Sequence, residues 1–502
     1  MIKVMQLRIA KYLNERRIYI IILILIGFFL RLVSFHFNQY LHHDVNVIAM
    51  VVENLGNHRH LWIEGWIWTE GWPTNAQHLH VYPQYAPGWF VVSLPFYFVV
   101  KNGFTAIKIS SLLFGMILLI LSYFVFRRLF DERTTFLTLI FCAFSTMLID
   151  YSANGSPHIL CAVLVLVYMY FLLKLNDLSR FQFFVFGLFL AISPLVYTIL
   201  GVLLISFLIL MLAYKDVRGL IKKNKAFILG VIIGLFFYLL YHQVVYDTPI
   251  PPQIVHLSLK SSYHISDGIF EVILIKLERL ITVGYKSVYA FSAVLLPLII
   301  CGIYRLWKDF ATIPKEKRMA IIGFGIVAFL YLLYFIFASF AFRHFVPLAP
   351  FFLSFAALYL SKLERKELTV FVILVLIPVS LTPIAQYPHT FYYPDWEKEY
   401  VSDHLSAKEC ALFLKEQERG IVLAYGGNRV DLFYYARYPF INAYKYPYGL
   451  LNSAELSEIL TKYKPMYIWT EKKYLDIFLD DFEVIKSKND FYLLKRKMGM
   501  VP

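Results

Sequence analysis

Apolar side chains dominate this chain in long runs, near 18–35, 105–126, 135–150, 157–174, 182–196, 198–214, 226–245, 287–306, 319–341, 345–361 and 367–384. A helix needs roughly 17 to 25 apolar residues to cross a bilayer, so the pattern predicts about eleven transmembrane helices. Between 182–196 and 198–214, Ser193-Pro194 marks either a turn between two spans or a kink. The first run follows Arg16-Arg17 and reaches Arg31 to Phe35 with no small-residue cleavage site. It reads as a retained span rather than a signal peptide.

Two stretches depart from this pattern. The first opens on Leu41-His42-His43-Asp44 and stays polar and aromatic to about Pro87. The second begins near Gln386, where 405–417 has helical apolar spacing and 421–425 reads as a strand. Gly426-Gly427 then leads into a helix near 429–437, another helix is predicted over 453–462, and 466–469, 482–485 and 491–494 are strand-like. Gly426-Gly427 carries neither GxGxxG nor a Walker lysine, so it reads as a strand-to-helix turn. The predicted architecture is a polytopic α-helical membrane domain over 1–384, with a first extracytoplasmic loop at about 36–104. A small extracytoplasmic α/β domain follows over 385–502.

Charge orients the chain. A net charge of +14 would suit nucleic acid, but the basic residues sit in short linkers and form no single stripe, which argues against that partner. Lys and Arg crowd 3–17, 127–133, 174–180, 215–225, 305–318 and 362–366. The alternate segments hold few: Arg59 and Lys101, then Lys260, Lys276, Arg279 and Lys286, then Arg343. The positive-inside rule therefore puts the N-terminus in the cytoplasm and the C-terminal domain outside, for a multi-pass protein of the plasma membrane. Cys142, Cys161, Cys301 and Cys410 are scattered, with no CxxC spacing to indicate zinc or a disulfide framework.

Several short motifs stand in a telling order. Phe28-Phe29-Leu30-Arg31-Leu32 ends the first run and Asp44 follows about a dozen residues later. Tyr82-Pro83-Gln84-Tyr85-Ala86-Pro87-Gly88-Trp89-Phe90 comes next, then 107–131 ending in Arg127-Arg128-Leu129-Phe130-Asp131. Ala341-Phe342-Arg343-His344-Phe345-Val346-Pro347-Leu348-Ala349-Pro350 closes the series. In this order and setting the chain resembles membrane glycosyltransferases of the GT-C class. It is closest to the polyprenyl-phosphate-sugar-dependent branch, with protein O-mannosyltransferases and the lipid A aminoarabinose transferase. The resemblance implies transfer of a hexosyl or pentosyl group from a polyprenyl-phosphate donor to a protein, glycan or lipid acceptor outside the cell. Three departures stand out: Asp44-Val45 where the family has Asp-Glu, Pro157-His158 where many members carry an acid, and Tyr85 in place of a phosphate-binding lysine.

Such a transfer needs a base for the acceptor proton and positive charge on the departing phosphate. The resemblance makes Asp44 the base; its plain reading is a helix N-cap before 46–55. His42 and His43 would orient the acceptor or tune Asp44, and with it they are the candidate ligands for a divalent ion such as Mg or Mn, though no HxxxH-type spacing supports one. His158, at an outer helix end, substitutes for the missing acid or simply caps the span. Arg343, beside His344, is the phosphate clamp or an interface anchor, with Tyr85 and Lys286 as further donor-binding candidates. Tyr82 and Trp89 offer sugar-stacking faces, although Trp and Tyr gather at membrane interfaces without any ligand. Two other classes stay open. A transporter or flippase would place ionisable groups at span midpoints and show repeat symmetry, and a non-catalytic relative would bind lipid-linked sugar only.

Overall fold

A computed structural model describes residues 2–37, 43–58, 63–64, 66–68, 74–75, 80–81, 87–246, 295–337, 342–364, 409–425, 440–442, 444–445, 449–450, 453–488 and 490–497. They divide into two compact units. One comprises 1–39, 86–89 and 108–392; the other comprises 40–85, 90–107 and 393–502.

The first unit is helical. Its elements include α1 (Ile2–Phe37), α5 (Glu132–Phe144), α6 (Thr146–Tyr151), α7 (His158–Leu173), α8 (Arg180–Ile192), α9 (Gly201–Ala213), α10 (Lys215–Lys223) and α11 (Lys225–Tyr246). A helix over 295–308, here α12, is followed by α13 (Lys315–Phe337) and α14 (Ala349–Leu360). Two further helices, α3 (Gly88–Val100) and α4 (Gly103–Leu129), run through both units. Among the described residues, five segments are long and apolar enough to cross a membrane: Ile18–His36, Gly103–Leu129, Lys225–Val244, Lys315–Tyr334 and Arg343–Leu360. They coincide with five of the predicted runs. The run at 367–384 lies outside the described residues.

Of the other predicted runs, 157–174 is the single helix α7 and 287–294 lies outside the described residues, while 135–150 and 182–214 are divided. The 135–150 run breaks at Ser145, whose extended backbone (φ −63°, ψ 114°) ends α5 and whose hydroxyl caps α6 through the Leu148 N–H. Ser193-Pro194 forms a turn rather than a kink, with Tyr197 extended (φ −159°, ψ 121°) between two short 3-10 turns. Asp131 caps α5 by accepting from Thr134 N at 2.8 Å, and Ser179 with Gln182 forms a capping box at the start of α8.

Small residues let two of these helices touch. A Cβ on Gly187 of α8 would run into the Phe227 carbonyl, and one on Gly230 of α11 into the Phe184 carbonyl. Gly234 meets Ala191 in the same way, so Gly230 and Gly234 give α11 a GxxxG seam against α8. The opposite side of α11 carries exposed Leu229, Ile232 and Phe236, the composition expected where lipid is the solvent.

The second unit joins the first loop to the tail. Its helix α2 (His43–His58) buries Val45, Ile48, Ala49 and Val52. The Tyr97 hydroxyl donates to Asn57 Oδ1 at 2.8 Å, and Glu53 Oε1 accepts the Gly103 N–H at 2.9 Å, capping α4. A six-stranded sheet has the order β10-β11-β9-β5-β6-β2. Strands β5 (Val422–Tyr425), β9 (Tyr467–Glu471), β10 (Phe482–Lys488) and β11 (Phe491–Arg496) fall on the predicted ones. The outermost strand, β2 (Trp66–Trp68), comes from the first loop and pairs in parallel with β6 (Phe440–Asn442). Helix α15 (Ser453–Tyr463) packs Leu456 into a core with Leu423, Ile441, Ile468, Phe482 and Leu494.

Candidate functional site

The polar cluster with the most chemistry lies in the first unit, at the N-terminal end of α7. The chain leaves α6 at Tyr151 and turns through 152–157, with Gly155 at φ 86°, a value that favours glycine. Asn154 Oδ1 accepts the Ser156 N–H at 2.9 Å and Ser111 Oγ donates to the Ser156 carbonyl at 3.3 Å, so the turn is pinned from inside and from α4. His158 then opens the helix, buried, with Nδ1 2.5 Å from Ser156 Oγ. Its ring sits 5.8 Å from Tyr151, 5.2 Å from Tyr197 and 5.9 Å from His344, centroid to centroid.

His344 reaches this point because Phe342–Leu348 forms a 3-10 run ahead of α14, with Pro350 in the first turn of that helix. Arg343, its neighbour, is half-buried and within electrostatic reach of the Tyr331 hydroxyl, as is Tyr197. Two protonated imidazoles about 6 Å apart would repel by about 3 kcal/mol at an effective dielectric of about 20. The imidazole pair thus suits a single shared proton. His158, His344 and Arg343, read from distant parts of the sequence, are brought together here.

His43 and Asp44 occupy the first turn of α2 in the second unit. His42, Tyr82, Tyr85 and Lys286, with the side chains of His43 and Asp44, lie outside the described residues. Among the described residues no group of three or more His, Cys, Asp and Glu side chains could hold a metal.

Trp89 is a correction. It is 1% exposed, donates from Nε1 to the Gly155 carbonyl at 3.1 Å and packs its ring 6.0 Å from Phe114. An indole so enclosed braces the turn before His158 and presents no open face to a sugar.

The sequence reading missed Tyr197, Tyr331 and Ser156. Tyr197 could have been found from its position just beyond the Ser193-Pro194 break. Arg31 was noted as a motif without a role. It is fully buried, and its Nε donates to Ser152 Oγ at 3.1 Å, while its terminal nitrogens donate to the carbonyls of Gly27 (2.8 Å), Cys142 (3.0 Å) and Ala143 (3.3 Å). Gly115 leaves room for this arrangement, since a Cβ there would strike Ser152. The guanidinium thereby ties α1 to the C-terminal end of α5 and to Ser152, at the start of the turn carrying Ser156 and His158.

Comparisons with known proteins place this geometry in a class. A family model described as dolichyl-phosphate-mannose-protein mannosyltransferase matches residues 87–242. No curated protein matches the chain. Among solved structures, ArnT from Cupriavidus metallidurans bound to undecaprenyl phosphate is similar over 96% of this chain and 98% of its own, at TM-score 0.60 and 13% identity. The apo oligosaccharyltransferase of Archaeoglobus fulgidus is similar over 91% of this chain and 69% of its own, at TM-score 0.62 and 12% identity. AglB from the same organism, in complex with an inhibitory peptide and a dolichol-phosphate, gives TM-score 0.56 at 10% identity over 97% of this chain and 75% of its own. The chain therefore shares the fold of these solved structures and carries helices long and apolar enough to cross a membrane more than once.

Proposed function

We propose that this protein is an integral membrane glycosyltransferase that moves a sugar from a polyprenyl-phosphate donor to an acceptor outside the membrane. The observation that carries the reading is the meeting of His158, His344 and Arg343 in a chain of this fold. In the proposed step an acceptor hydroxyl attacks the anomeric carbon, its proton passes to Asp44, and the carbon–oxygen bond to phosphate breaks. The electron pair leaves with polyprenyl phosphate, whose charge Arg343 holds and to which the His158–His344 pair lends a proton or hydrogen bond. His43, Tyr82, Tyr85 and Lys286 are assigned to the rim that receives donor and acceptor. His42, His43 and Asp44 are the residues that would hold a divalent ion, if the reaction uses one.

The donor sugar is a hexosyl or pentosyl group and the acceptor a protein, glycan or lipid. About eleven spans are proposed from the apolar runs, and the distribution of Lys and Arg supports an N-terminus on the cytoplasmic side of the plasma membrane with the C-terminal sheet outside.

The test uses purified full-length protein and radiolabelled polyprenyl-phosphate sugars. Asp44→Asn is expected to lower turnover about 10²- to 10⁴-fold, the range for losing a general base. Arg343→Ala is expected to raise KM for the donor. Equal turnover by Asp44→Asn and wild type would remove Asp44 from the step. Donor binding without release or transfer, for every sugar tried, would overturn the enzyme in favour of a binder or flippase.

A further inference from the structure

The backbone of Ser156 is held at both ends. Its N–H donates to Asn154 Oδ1 at 2.9 Å, and its carbonyl accepts from Ser111 Oγ at 3.3 Å. Trp89 fixes the residue before it through the bond from Nε1 to the Gly155 carbonyl. The side chain is therefore placed with little freedom, and it is buried. An ordinary duty for a serine here would be to cap the first turn of α7. That duty is not taken up. Pro157 occupies the cap position without a side-chain cap hydrogen bond. Among the described residues, the Ser156 hydroxyl bonds to His158 Nδ1, at 2.5 Å, and to no other group.

That one partner decides the state of the ring. A neutral imidazole carries one N–H and one lone pair, while a hydroxyl both donates and accepts. Two arrangements give the same contact between Ser156 and His158. With the ring hydrogen on Nδ1, the imidazole donates to Ser156 Oγ, and the hydroxyl hydrogen is left buried with no acceptor. With the ring hydrogen on Nε2, the hydroxyl donates to the Nδ1 lone pair and both groups are satisfied. A buried donor without an acceptor disfavours the first arrangement by at least about fivefold.

We propose that Ser156 is a positioning residue that fixes His158 as the tautomer with its hydrogen on Nε2. Its part in transfer rests on the function proposed above. His158 then serves the departing phosphate as a neutral hydrogen-bond donor from Nε2 and not as a base. Removal of the acceptor proton is left to another group, in keeping with the assignment of Asp44. Ser156 itself touches His158 and acts through it.

The test is nitrogen NMR of the full-length protein in detergent at neutral pH, with isotope-labelled histidine rings and the His158 signals assigned by correlation to its own backbone. Wild type is expected to show a pyridine-like Nδ1 and a pyrrole-like Nε2. Ser156→Ala should lose this bias, its two signals moving toward each other as the tautomers average. Ser156→Thr, which keeps the hydroxyl, should restore it. A hydrogen on Nδ1 in wild type, or an alanine variant with wild-type signals, would overturn the assignment. In turnover of a polyprenyl-phosphate sugar, kcat of Ser156→Ala should fall in proportion to the Nε2 tautomer that remains, about twofold if the two become equal. Ser156→Thr should recover it. A changed tautomer with unchanged kcat would overturn the role in transfer. Should the alanine variant fail to fold, the wild-type signals decide alone. The expected tautomer in a protein that turns over no sugar would sink the transferase and leave the assignment of the ring standing.

Discussion

Replacing Arg31 tests how the helices around the candidate site are held. The last four carbonyls of any helix lack partners within it, and Cys142 and Ala143 belong to the last turn of α5. Arg31 supplies donors to both, and to Ser152 Oγ. Arg31→Met keeps most of the side-chain volume and removes every donor. Two buried carbonyls stripped of donors cost about 1–3 kcal/mol each, and the relief of no longer burying a guanidinium offsets part of that. The expected loss is about 3 kcal/mol. Ser152→Ala, which removes one hydrogen-bonding partner, should cost about 1 kcal/mol. Arg31→Lys, keeping the charge but not the fork, should fall between them. Equilibrium unfolding in detergent gives these values, and Cys142, buried in the last turn of α5, reports the opening through its reaction with a thiol dye. If Arg31→Met unfolds within about 0.5 kcal/mol of wild type, as a neutral substitution would, desolvation has cancelled the hydrogen bonds and Arg31 is not a tie.

The glycine seam and the tail supply two further tests. Gly230→Ala and Gly187→Ala should each destabilise by about 1–3 kcal/mol, because their methyls meet backbone carbonyls. Gly219→Ala and Gly325→Ala, with nothing within 4 Å, should be neutral or stabilising by up to about 1 kcal/mol, and thermal melts of the four variants compare them directly. In the tail, a hydrogen bond from Lys488, followed by its charge and that of Lys486, holds the Glu409 carboxyl below its ordinary range. A carboxyl lowered on folding adds stability above its unfolded pKa and loses it as pH falls through the folded value. Glu409→Gln should therefore flatten the acid side of the tail's stability profile, slightly because the group is exposed, and leave neutral pH little changed; an unaltered acid limb, followed by Trp469 fluorescence, would rule the contact out.

Much of the fold was legible in hydrophobic pattern. The five candidate spans and strands β5, β9, β10 and β11 follow apolar runs whose period and length leave little choice. Breaks inside those runs were harder to see. One serine at 145 does not interrupt a hydropathy average, yet its extended backbone ends one helix and its hydroxyl caps the next. Strand β2 was hidden for another reason: Trp66-Ile67-Trp68 looks like interfacial aromatics, and its partner β6 is far along the chain. At the site, His158 and Arg343 were visible as polar residues at the edges of apolar runs. Tyr197 and Tyr331 were not, because a tyrosine inside such a run passes for core. Trp89 shows the reverse error, where an aromatic near a polar loop was read as a binding surface and proved to be packing.

The pairing of β2 with β6 carries a consequence for biogenesis. The second unit, which contains the helix that begins at His43 and Asp44, takes its sheet from both ends of the polypeptide. While the ribosome is still threading the middle of the chain into the membrane, the early loop must wait with its strand unpaired. That unit closes only when the final segments have been released, so a prematurely terminated product would carry an unfinished loop as well as a missing tail.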